Sequence, residues 1–571
     1  GAVHQLEFGA GLAWRPGQPI EVERPDTRVI QADHAAGRVD LQPAVGRRLP
    51  ADPAQSIPRA RRGIAAQPRQ RQAAGQGEVF LLDGKEVKPA FAKYRACNYF
   101  RRMLLRQRIV WLPVADEKDI EIRLDGQPVE ISLDKINLIS KNAANSFTKF
   151  GLLDKARLTF LPGRGCRQSP PFNLSGLKAR LLLWLAHLSP IRKRFQNAWV
   201  FADRDIDADD NAEHLYRWVQ QHHPEINAWF LLSRKAPDWS RLQHEGFRLV
   251  PSGWWNKLLF LNSDCILSSH TDHAHGDLAP EVYGKAMNWR FVFLQHGVTK
   301  DDMSHWLSNQ PFDLFVTTSP EEYASIVEDD TPYTYTAREV SRTGFPRHDT
   351  LLTIARDTPS DEIDTILVMP TWRGNLSDGR HEKDEAINRL NVFADSEYAK
   401  RWGELLCNKE LHDLLARHNK RLVFMPHPNA VPFLSVLKLP KQVEVLTKAD
   451  IGIQRLFAKC LAMITDYSSV AFEMAYLRRP VIYYQFDFDS YYSGDHNWRE
   501  GYYDYSNDGF GPRATEVFEV LREVQNLLIS PNEFQGRYLE RMERALPEQD
   551  GLACQRLWDY IIQIWHLRCA N

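Results

Sequence analysis

The sequence predicts an α/β protein in which two doubly wound parallel sheets face each other across a cleft, after an N-terminal accessory region. Eleven short apolar runs follow residue 197, and amphipathic stretches separate them. This alternation is typical of parallel strands that are covered by helices on both faces. A segment rich in turn formers, near 357–364, divides the runs into groups of six and five. We therefore predict one doubly wound domain over 197–360 and a second, with terminal helices, over 361–571.

Composition places the chain among ordinary globular proteins. It has 571 residues, of which 43% are apolar and 25% charged, so collagen-like, coiled-coil and wholly disordered chains are excluded. A net charge of -1 argues against a dedicated nucleic-acid binder. The longest pure apolar runs, such as 181–186, are shorter than the roughly 18 residues that a membrane-spanning helix needs. The sequence also begins without a secretory signal pattern, so we expect a cytoplasmic protein.

The region before residue 197 has three parts. Residues 1–77 carry 11 Arg, seven acids, no Lys and two aromatic residues, which predicts a disordered extension, with a basic binding tail as the alternative. Residues 78–165 predict a small, partly β accessory domain, with a hairpin about the Asp125-Gly126 turn. Residues 166–196 predict a basic amphipathic helix and connector.

That connecting helix has two interpretations. Its apolar residues trace one helical face, at positions 174, 177, 181, 184, 185, 188 and 191. Basic residues lie near that face, at positions 178, 180, 192, 193 and 194. A helix that lies on an anionic membrane surface has this pattern. A helix that packs on its own domain has it too.

The most informative segment is LAMITDYSSVAFEMAYLRRPVIYYQFD, residues 461–487. An apolar strand ends at Thr465, a turn contains Asp466, Ser468 and Ser469, and a helix begins near Val470. Hydroxyls and unpaired backbone N–H groups at a helix start favour an anion, so a phosphate or pyrophosphate is the expected occupant. Plain capping of the helix is the alternative.

Two histidines follow predicted strands in the same manner. His296 and Gly297 lie in FVFLQHGVTKDD, and His427 lies between two prolines in LVFMPHPNA. Histidine can take a proton near neutral pH, and glycine permits close approach of a substrate. A single loop histidine is more often structural, but one in each half of the chain favours a shared cleft.

Two arginines also follow predicted strands, Arg347 in TGFPRHD and Arg373 in LVMPTWRGN. The guanidinium fork matches phosphate oxygens, so both are candidate phosphate ligands. Either could instead form an ion pair that holds the two domains together.

Acidic runs give no convincing metal site. The run Asp203–Asp210 lacks the glycine and glutamate that an EF-hand needs at its sixth and twelfth positions, where Ala208 and His214 stand. Asp487 and Asp489 form a D-x-D pattern, which arises often by chance. We therefore predict a site without metal.

In order along the chain, these segments resemble the CDP-glycerol glycerophosphotransferase family, which contains teichoic acid polymerases and primases and relatives in capsule synthesis. The resemblance covers about 197–561. It rests on Asn211, NAEHLYRWVQQHHPEINAWFLL, ILSSH, QHG, TGFPRHDTLL, PTWR, HPN, TDYSSVAFEMAYLRRPVIYY, GYYDYSNDGFGP and Asp550-Gly551.

The resemblance implies a glycosyltransferase-B-like pair of Rossmann-like domains that transfers glycerol phosphate from CDP-glycerol to the hydroxyl end of a lipid-linked or polymer acceptor and releases CMP. It implies peripheral attachment to the cytoplasmic face of the membrane, with no required cofactor and no nucleic-acid partner. By the same resemblance His296 is the base and His427 contacts the donor phosphates. The resemblance also assigns donor binding to Arg347, Arg373, Asp466, Ser468 and Ser469. It places Gly297, Lys300 and Asp302 on the acceptor side.

The sequence departs from the family pattern near the acceptor side. The family's Trp-His-Gly-Thr-Pro-Leu-Lys is Gln-His-Gly-Val-Thr-Lys-Asp at 295–301, and its PRND is PRHD at 346–349. The resemblance itself implies glycerol as the favoured donor group, with CDP-ribitol phosphotransfer and transfer from a nucleotide sugar as alternatives. A catalytically silent subunit of a polymer-assembly complex is a further alternative, against which both histidines and the serine pair argue.

Overall fold

The structure is a computed structural model, and it describes the chain from residue 174 to residue 569 with several gaps. In the N-terminal region it describes only short stretches. The gaps are 273–277, 279–282, 284–288, 377–384, 448–449 and 493–498, and the N-terminal stretches are 2–8, 32–33, 78–99, 102–114, 120–124 and 127–128.

The N-terminal stretches form two small antiparallel sheets. Their strands are β1 Ala2–Phe8, β2 Ala32–Asp33, β3 Val79–Leu82, β4 Lys85–Val87, β5 Phe91–Tyr99, β6 Arg102–Val114, β7 Ile120–Leu124 and β8 Gln127–Pro128. In one sheet, β6 pairs antiparallel with each of β1, β2 and β5. The other sheet has the order β4-β3-β7-β8. The predicted hairpin is confirmed, because Leu124 pairs with Gln127 in an antiparallel ladder. Apart from β1 and β2, the predicted extension 1–77 lies outside the described residues.

Seven parallel strands form the first large sheet, in the order β11-β10-β9-β12-β13-β14-β15. They are β9 Ala198–Ala202, β10 Ala228–Leu231, β11 Leu249–Val250, β12 Ser263–Ser268, β13 Arg290–Phe293, β14 Leu314–Thr317 and β15 Val340–Arg342. The order reverses between β9 and β12, as in doubly wound folds.

Six parallel strands form the second large sheet, in the order β18-β17-β16-β19-β20-β21. They are β16 Thr365–Val368, β17 Arg421–Phe424, β18 Val443–Val445, β19 Cys460–Thr465, β20 Val481–Tyr484 and β21 Arg513–Ala514. The predicted α/β class and parallel sheets are confirmed. The predicted counts of six and five strands each miss one strand, β15 and β21, because these edge strands are short and partly polar.

Helices connect successive strands and cover both faces of the sheets. They are α1 Leu174–His187, α2 Ser189–Phe195, α3 Asn211–His222, α4 Trp239–His244, α5 Trp254–Phe260, α6 Ser304–Leu307, α7 Pro320–Val327, α8 Pro346–Asp357, α9 Glu385–Asp395, α10 Glu397–Leu406, α11 Lys409–Arg417, α12 Leu434–Leu437, α13 Ile453–Lys459, α14 Ala471–Tyr476, α15 Phe488–Ser490, α16 Val517–Ile529, α17 Pro531–Ala545 and α18 Ala553–Cys569. Short 3-10 turns lie at Ser360–Glu362, Gly374–Leu376 and Pro428–Phe433.

The hydrophobic core runs continuously from one large sheet to the other. A single cluster of buried residues contains Phe201 and Leu267 of the first sheet and Met463 and Tyr467 from the second-sheet region. The terminal helix α18 contributes Trp558, which packs on Trp199 with ring centroids 5.3 Å apart. The end of the chain therefore packs back onto the first sheet.

Helix α1 buries one face and exposes part of the face that the sequence marked as apolar, whereas Leu185 of that set packs against the core. Ala179, Leu182 and Ala186 are buried in the core, whereas the apolar residues one step around the helix, Leu177 and Trp184, are 63% and 60% exposed. The helix packs on its own domain and still presents apolar side chains outward. Within the part of the chain that the structure describes, every helix falls short of the length and apolar character needed to cross a membrane.

Candidate active site at the carboxyl ends of the two sheets

The predicted site residues follow the carboxyl ends of strands in both large sheets. His296 follows β13, His427 follows β17, and the segment from Asp466 to Ser469 follows β19. In parallel α/β sheets this edge is where ligands bind, because the connecting loops gather there. The topology therefore accounts for why residues far apart in sequence lie at equivalent positions.

His296 is held on a strained backbone turn. Gln295, which precedes it, has a φ of +61°, a left-handed conformation that side chains other than glycine rarely adopt. Its amide is buried and donates to the carbonyl of Val316 at 2.5 Å and to Glu322 at 3.0 Å. The buried Gln295 side chain anchors the turn, and His296, the next residue, is exposed to solvent.

A second histidine stacks on His296. The rings of His270 and His296 have centroids 4.5 Å apart and planes within 17°. The Nε2 atom of His270 lies 3.1 Å from Nε of Arg204 and 3.9 Å from a carboxylate oxygen of Asp210. Because Arg204 is a donor, it favours the His270 tautomer that presents an unprotonated Nε2.

The surroundings keep His296 in its neutral form near pH 7. Although one side of the ring is open to solvent, crowding by the loops lowers the pKa of His296 below its usual value of 6.5. The charge of Asp210 opposes this shift, and the charges of Arg204 and Arg347 add to it. A neutral imidazole can accept a proton from a hydroxyl.

The acidic run that resembles a calcium loop is instead the loop that leads into α3. Buried Asp203 accepts the Ala212 N–H at 2.9 Å and the Ser269 hydroxyl at 2.5 Å, which are interactions of a helix cap. Burial and the nearby charge of Asp210 raise the pKa of Asp203 to about 7. Asn211, the first residue of α3, donates to the Gln295 carbonyl at 2.8 Å and so ties the helix to the His296 turn.

Loops from the two sheets touch directly beside His296. A Cβ atom at Gly297 would lie 2.3 Å from the hydroxyl oxygen of Ser469, so any other residue here would force the Ser469 side chain to move. Asp302 forms an isolated antiparallel bridge with Arg499, and the Tyr492 hydroxyl donates to Asp301 at 2.9 Å. The predicted acceptor-side and donor-side segments are therefore neighbours.

Lys300 and Asp302 already have protein partners. Lys300 is buried, and its Nζ lies 2.7 Å from a carboxylate oxygen of Asp301. Asp302 accepts the Ser304 N–H at 2.9 Å just before the short helix α6. Their predicted place on the acceptor side stays a prediction.

A buried ion-pair network underlies the serine turn of the second sheet. The guanidinium of Arg373 lies 2.8 Å from Asp466 and 2.7 Å from Asp487. Asp466 also accepts the N–H groups of Thr371 at 2.8 Å and Tyr467 at 2.7 Å. These contacts satisfy the charge of Arg373 inside the protein and fix the turn that carries Ser468 and Ser469.

Both serines are partly exposed. The Ser468 hydroxyl accepts the Val470 N–H at 3.4 Å, and helix α14 then begins at Ala471. Helix α14 has six residues, and no side chain caps its first turn. The serines thus lie before the helix rather than within its first turn.

His427 lies at the end of β17, also partly exposed. Its Nδ1 accepts the Asn429 N–H at 3.2 Å, and its ring is parallel to that of Trp372 at a centroid distance of 6.3 Å. The two prolines that flank it restrict the backbone on both sides. The ring is consequently held in a defined orientation at the same sheet edge as the serine turn.

Arg347 connects the two sheets. It donates to Asp210, beside the first sheet, at 2.6 Å and to Glu473 of helix α14, beside the second sheet, at 3.0 Å. His348 lies 3.0 Å from the same Glu473 carboxylate. This is the ion pair between domains that the sequence analysis kept as the alternative for Arg347.

Within the described residues, no three His, Cys, Asp or Glu side chains converge on a position that could hold a metal ion. Asp487 of the D-x-D pattern accepts from Arg373 and from the Tyr467 hydroxyl at 3.0 Å. The prediction of a site without metal stays a prediction.

Sequence reasoning did not assign roles to His270, Asp210 or Glu473. His270 carries the same signal as His296, a histidine directly after a buried strand, and the ILSSH motif contains it. Glu473 had no such signal, because it lies on a helix whose neighbours in sequence are apolar. Only the packing of α14 against α8 reveals its pairing with Arg347.

The family described as CDP-Glycerol:Poly(glycerophosphate) glycerophosphotransferase matches residues 184–563, more than half of the chain. The minor teichoic acid biosynthesis protein GgaB of Bacillus subtilis is 30% identical over 402 residues, which are 69% of this chain and 43% of that protein. A teichoic acid poly(glycerol phosphate) polymerase of Staphylococcus epidermidis is 28% identical over 229 residues, or 38% of this chain and 29% of that protein.

A relative that acts on another polyol is similar over a shorter stretch. The teichoic acid ribitol-phosphate primase of Bacillus spizizenii is 30% identical over 199 residues, or 34% of this chain and 43% of that protein. The chain thus spans less than half the length of these curated relatives. Among solved structures, that of the wall teichoic acid polymerase TagF aligns with a TM-score of 0.48 and 17% identity, covering 70% of this chain and all of that one.

Proposed function

Because the chain belongs to the CDP-glycerol:poly(glycerophosphate) glycerophosphotransferase family, we propose that it transfers glycerol phosphate from CDP-glycerol to the hydroxyl end of a lipid-linked or polymer acceptor and releases CMP. The product belongs to a teichoic-acid-like or capsular surface polymer. The observation that carries this proposal is the contact between the His296–Gly297 turn and Ser469, because it joins a candidate base to a candidate phosphate cradle. We assign the acceptor to the 197–360 domain and the donor to the 361–571 domain, on either side of a glycosyltransferase-B-like cleft.

The proposed reaction is a displacement at phosphorus. The acceptor oxygen forms a bond to the phosphorus that carries glycerol, and the phosphoanhydride bond to the cytidylate breaks. His296 takes the hydroxyl proton, and CMP leaves with the electron pair of the broken bond. Such transfers rely mainly on positioning and on stabilisation of charge, so the site needs fixed polar groups more than covalent chemistry.

Three groups serve the donor in this proposal. The hydroxyls of Ser468 and Ser469 hydrogen-bond phosphate oxygens, and His427 contacts the phosphate that leaves with CMP. All three are partly exposed, so a ligand can reach them. No required cofactor is part of the proposal.

The two arginines act by positioning in this proposal. Each guanidinium is buried and already paired with two carboxylates, so direct phosphate binding would break a buried ion pair. Arg373 holds Asp466 and with it the serine turn. Arg347 holds the two sheets together beside His270 and His296.

Phosphorus NMR distinguishes the donors. Purified protein is incubated with a membrane extract and CDP-glycerol, CDP-ribitol or nucleotide sugars in separate samples. We expect CMP and a new phosphodiester signal with CDP-glycerol, and neither with a His296→Ala protein. Turnover with CDP-ribitol alone would change the polyol, and turnover with a nucleotide sugar but no new phosphodiester would establish the glycosyltransferase alternative. A silent subunit would turn over none of them.

We also propose that helix α1 docks the enzyme on the cytoplasmic face of an anionic membrane. Its outward face carries the exposed apolar residues Leu177, Leu181 and Trp184, and exposed Arg192 and Lys193 follow in α2. Apolar side chains flanked by cations are what an interfacial helix presents to anionic lipids.

Vesicle flotation tests this docking. The double variant Leu181→Glu/Trp184→Glu should lower the fraction bound to phosphatidylglycerol vesicles by about tenfold or more, since it removes apolar area and adds negative charge. Phe518→Glu/Ile529→Glu is the matched control, because these two residues are similarly exposed on α16. Equal binding of the two variants would contradict docking through α1.

A further inference from the structure

A second polar pocket lies at the opposite edge of the first sheet from the candidate active site. It has a volume of about 530 Å³ and is lined mostly by side chains that precede β9, β10 and β11, together with Trp199 of β9 and Asp264 of β12. Strand β9 has five residues, so the two edges are roughly 15 Å or more apart at about 3.3 Å per residue. Ligands of doubly wound sheets bind at the carboxyl edge, so the transfer reaction does not account for a pocket at the amino edge.

Three cations line this pocket, Lys193, Arg194 and Arg248. Among the described residues, no carboxylate lies within ion-pair distance of any of them, although many other arginines of this chain are paired. Burial and the neighbouring charge of Arg194 lower the pKa of Arg248. Both guanidinium groups lie over the same Trp229 ring, so they are close enough to repel each other, and an anion between them would relieve that repulsion.

The two arginines are held by a buried tryptophan. The Cζ atom of Arg248 lies 3.9 Å from the centroid of the Trp229 ring, and that of Arg194 lies 5.1 Å from it. Cation–π contacts of this kind orient a guanidinium without using its N–H donors. Those donors stay available to a ligand.

The backbone around the pocket is also fixed. The Asn227 amide donates to the carbonyls of Arg194 at 3.1 Å and Gln196 at 3.0 Å, and its oxygen accepts from Trp229 Nε1 at 3.0 Å. One side chain thus ties the end of α2 to the start of β10. The cations are carried on a frame that exists before any ligand binds, which lowers the entropic cost of binding.

Two acids line the pocket as well, and neither cancels the cations. The Glu225 carboxylate lies 3.2 Å from Nδ1 of His223. Asp264 lies beyond ion-pair distance of Lys193, Arg194 and Arg248, so three cations face two acids in the lining. The arrangement therefore favours an anion.

We propose that this pocket is a second binding site, separate from the transfer centre, for the phosphate group of a phosphate ester. Guanidinium forks match phosphate oxygens, and the volume exceeds what a bare phosphate needs, so an organic group can enter with it. The ester is either a soluble molecule or a lipid headgroup. Beside the pocket, Arg194 Cζ also lies 5.9 Å from the ring of half-exposed Trp255 on α5.

The test compares the double variant Arg194→Gln/Arg248→Gln with Lys409→Gln/Lys441→Gln, which removes the same charge from exposed sites near the second sheet. Calorimetric titration with glycerol 3-phosphate measures the soluble arm, and flotation with phosphatidylglycerol or phosphatidylcholine vesicles measures the lipid arm. We expect about tenfold or greater loss of affinity in the pocket variant and no change in the control, because the variant removes two guanidinium forks that make charge-assisted hydrogen bonds to phosphate.

Each outcome decides between the alternatives. Loss confined to calorimetry identifies a soluble ester, and loss confined to phosphatidylglycerol vesicles identifies a lipid headgroup. Equal affinities of the pocket and control variants in both arms overturn the proposal. Should the double variant fail to fold, the single Arg248→Gln substitution, at an exposed pocket residue outside the α1 docking surface, should weaken binding about threefold or more and replaces it in both arms. Binding is measured without turnover, so the result does not depend on the proposed transfer reaction.

Discussion

The carboxyl edges of the two large sheets carry different kinds of polar chemistry. At the first edge, His296 is exposed, stacked on His270, and has a lowered pKa. At the second edge, Arg373 neutralises Asp466 and Asp487 below the surface, and the hydroxyls of the serine turn lie above them. A proton acceptor needs a group whose charge can change, whereas a phosphate cradle needs groups that do not move. The contrast supports an assignment of the base to the first sheet and of the donor cradle to the second.

The largest effect should come from the first edge. His296→Ala should lower the rate of CMP release by about 10²- to 10⁴-fold, because it removes the proposed general base. The exposed ring contributes little packing, so denaturant unfolding should be nearly unchanged. The exposed His418→Ala is the matched control. A rate within threefold of the unsubstituted protein would show that His296 is not the base.

A substitution in the ion-pair network at the second edge should lower the stability of the folded protein. Arg373→Gln leaves Asp466 and Asp487 buried without a cation, which should cost about 3–5 kcal/mol in the free energy of unfolding. Arg401→Gln removes a pair of similar length with Glu516 at the surface and should cost less than about 1 kcal/mol. Urea unfolding of both variants measures the difference. Equal costs would mean that the network does not frame the serine turn.

The smallest of the three effects concerns the connection between the edges. Burial would raise the pKa of Glu473, but Arg347 and His348 outweigh burial and lower it from 4.5 to about 2. Its ionised form therefore stabilises the fold above pH 4.5, and that contribution of about 3 kcal/mol is lost as the pH falls toward 2.

Glu473→Gln removes this titration. The fall in unfolding free energy between pH 4.5 and pH 2 should be about 3 kcal/mol smaller in the variant than in the unsubstituted protein. Glu444→Gln, at an exposed ion pair with Arg421, should leave the pH dependence unchanged. An unchanged slope in the Glu473 variant would show that the connection between the sheets is not electrostatic.

Sequence alone determined the features that depend on local order and on burial. The fully apolar runs from AWVFA to VIYY predict strands covered on both faces, and the motifs that follow them place both histidines and the serine turn at strand ends. It also identified the family, because several motifs occur in register. The edge strands β15 and β21 escaped prediction, since two or three partly polar residues carry no clear period.

Only the tertiary structure decided what each polar group contacts. Arg347 and Arg373 have the same local signal, yet one joins the two sheets and the other closes a network within the second. Glu473 lies on a helix with apolar neighbours, and the exposed face of α1 was visible as apolar but not as outward-facing. The carboxylates that pair with these arginines include Glu473 and Asp487, each more than 100 residues further along the chain. A periodic sequence pattern reports only on neighbours within a few helical turns. Pairing, burial and the resulting pKa shifts therefore belong to the folded chain.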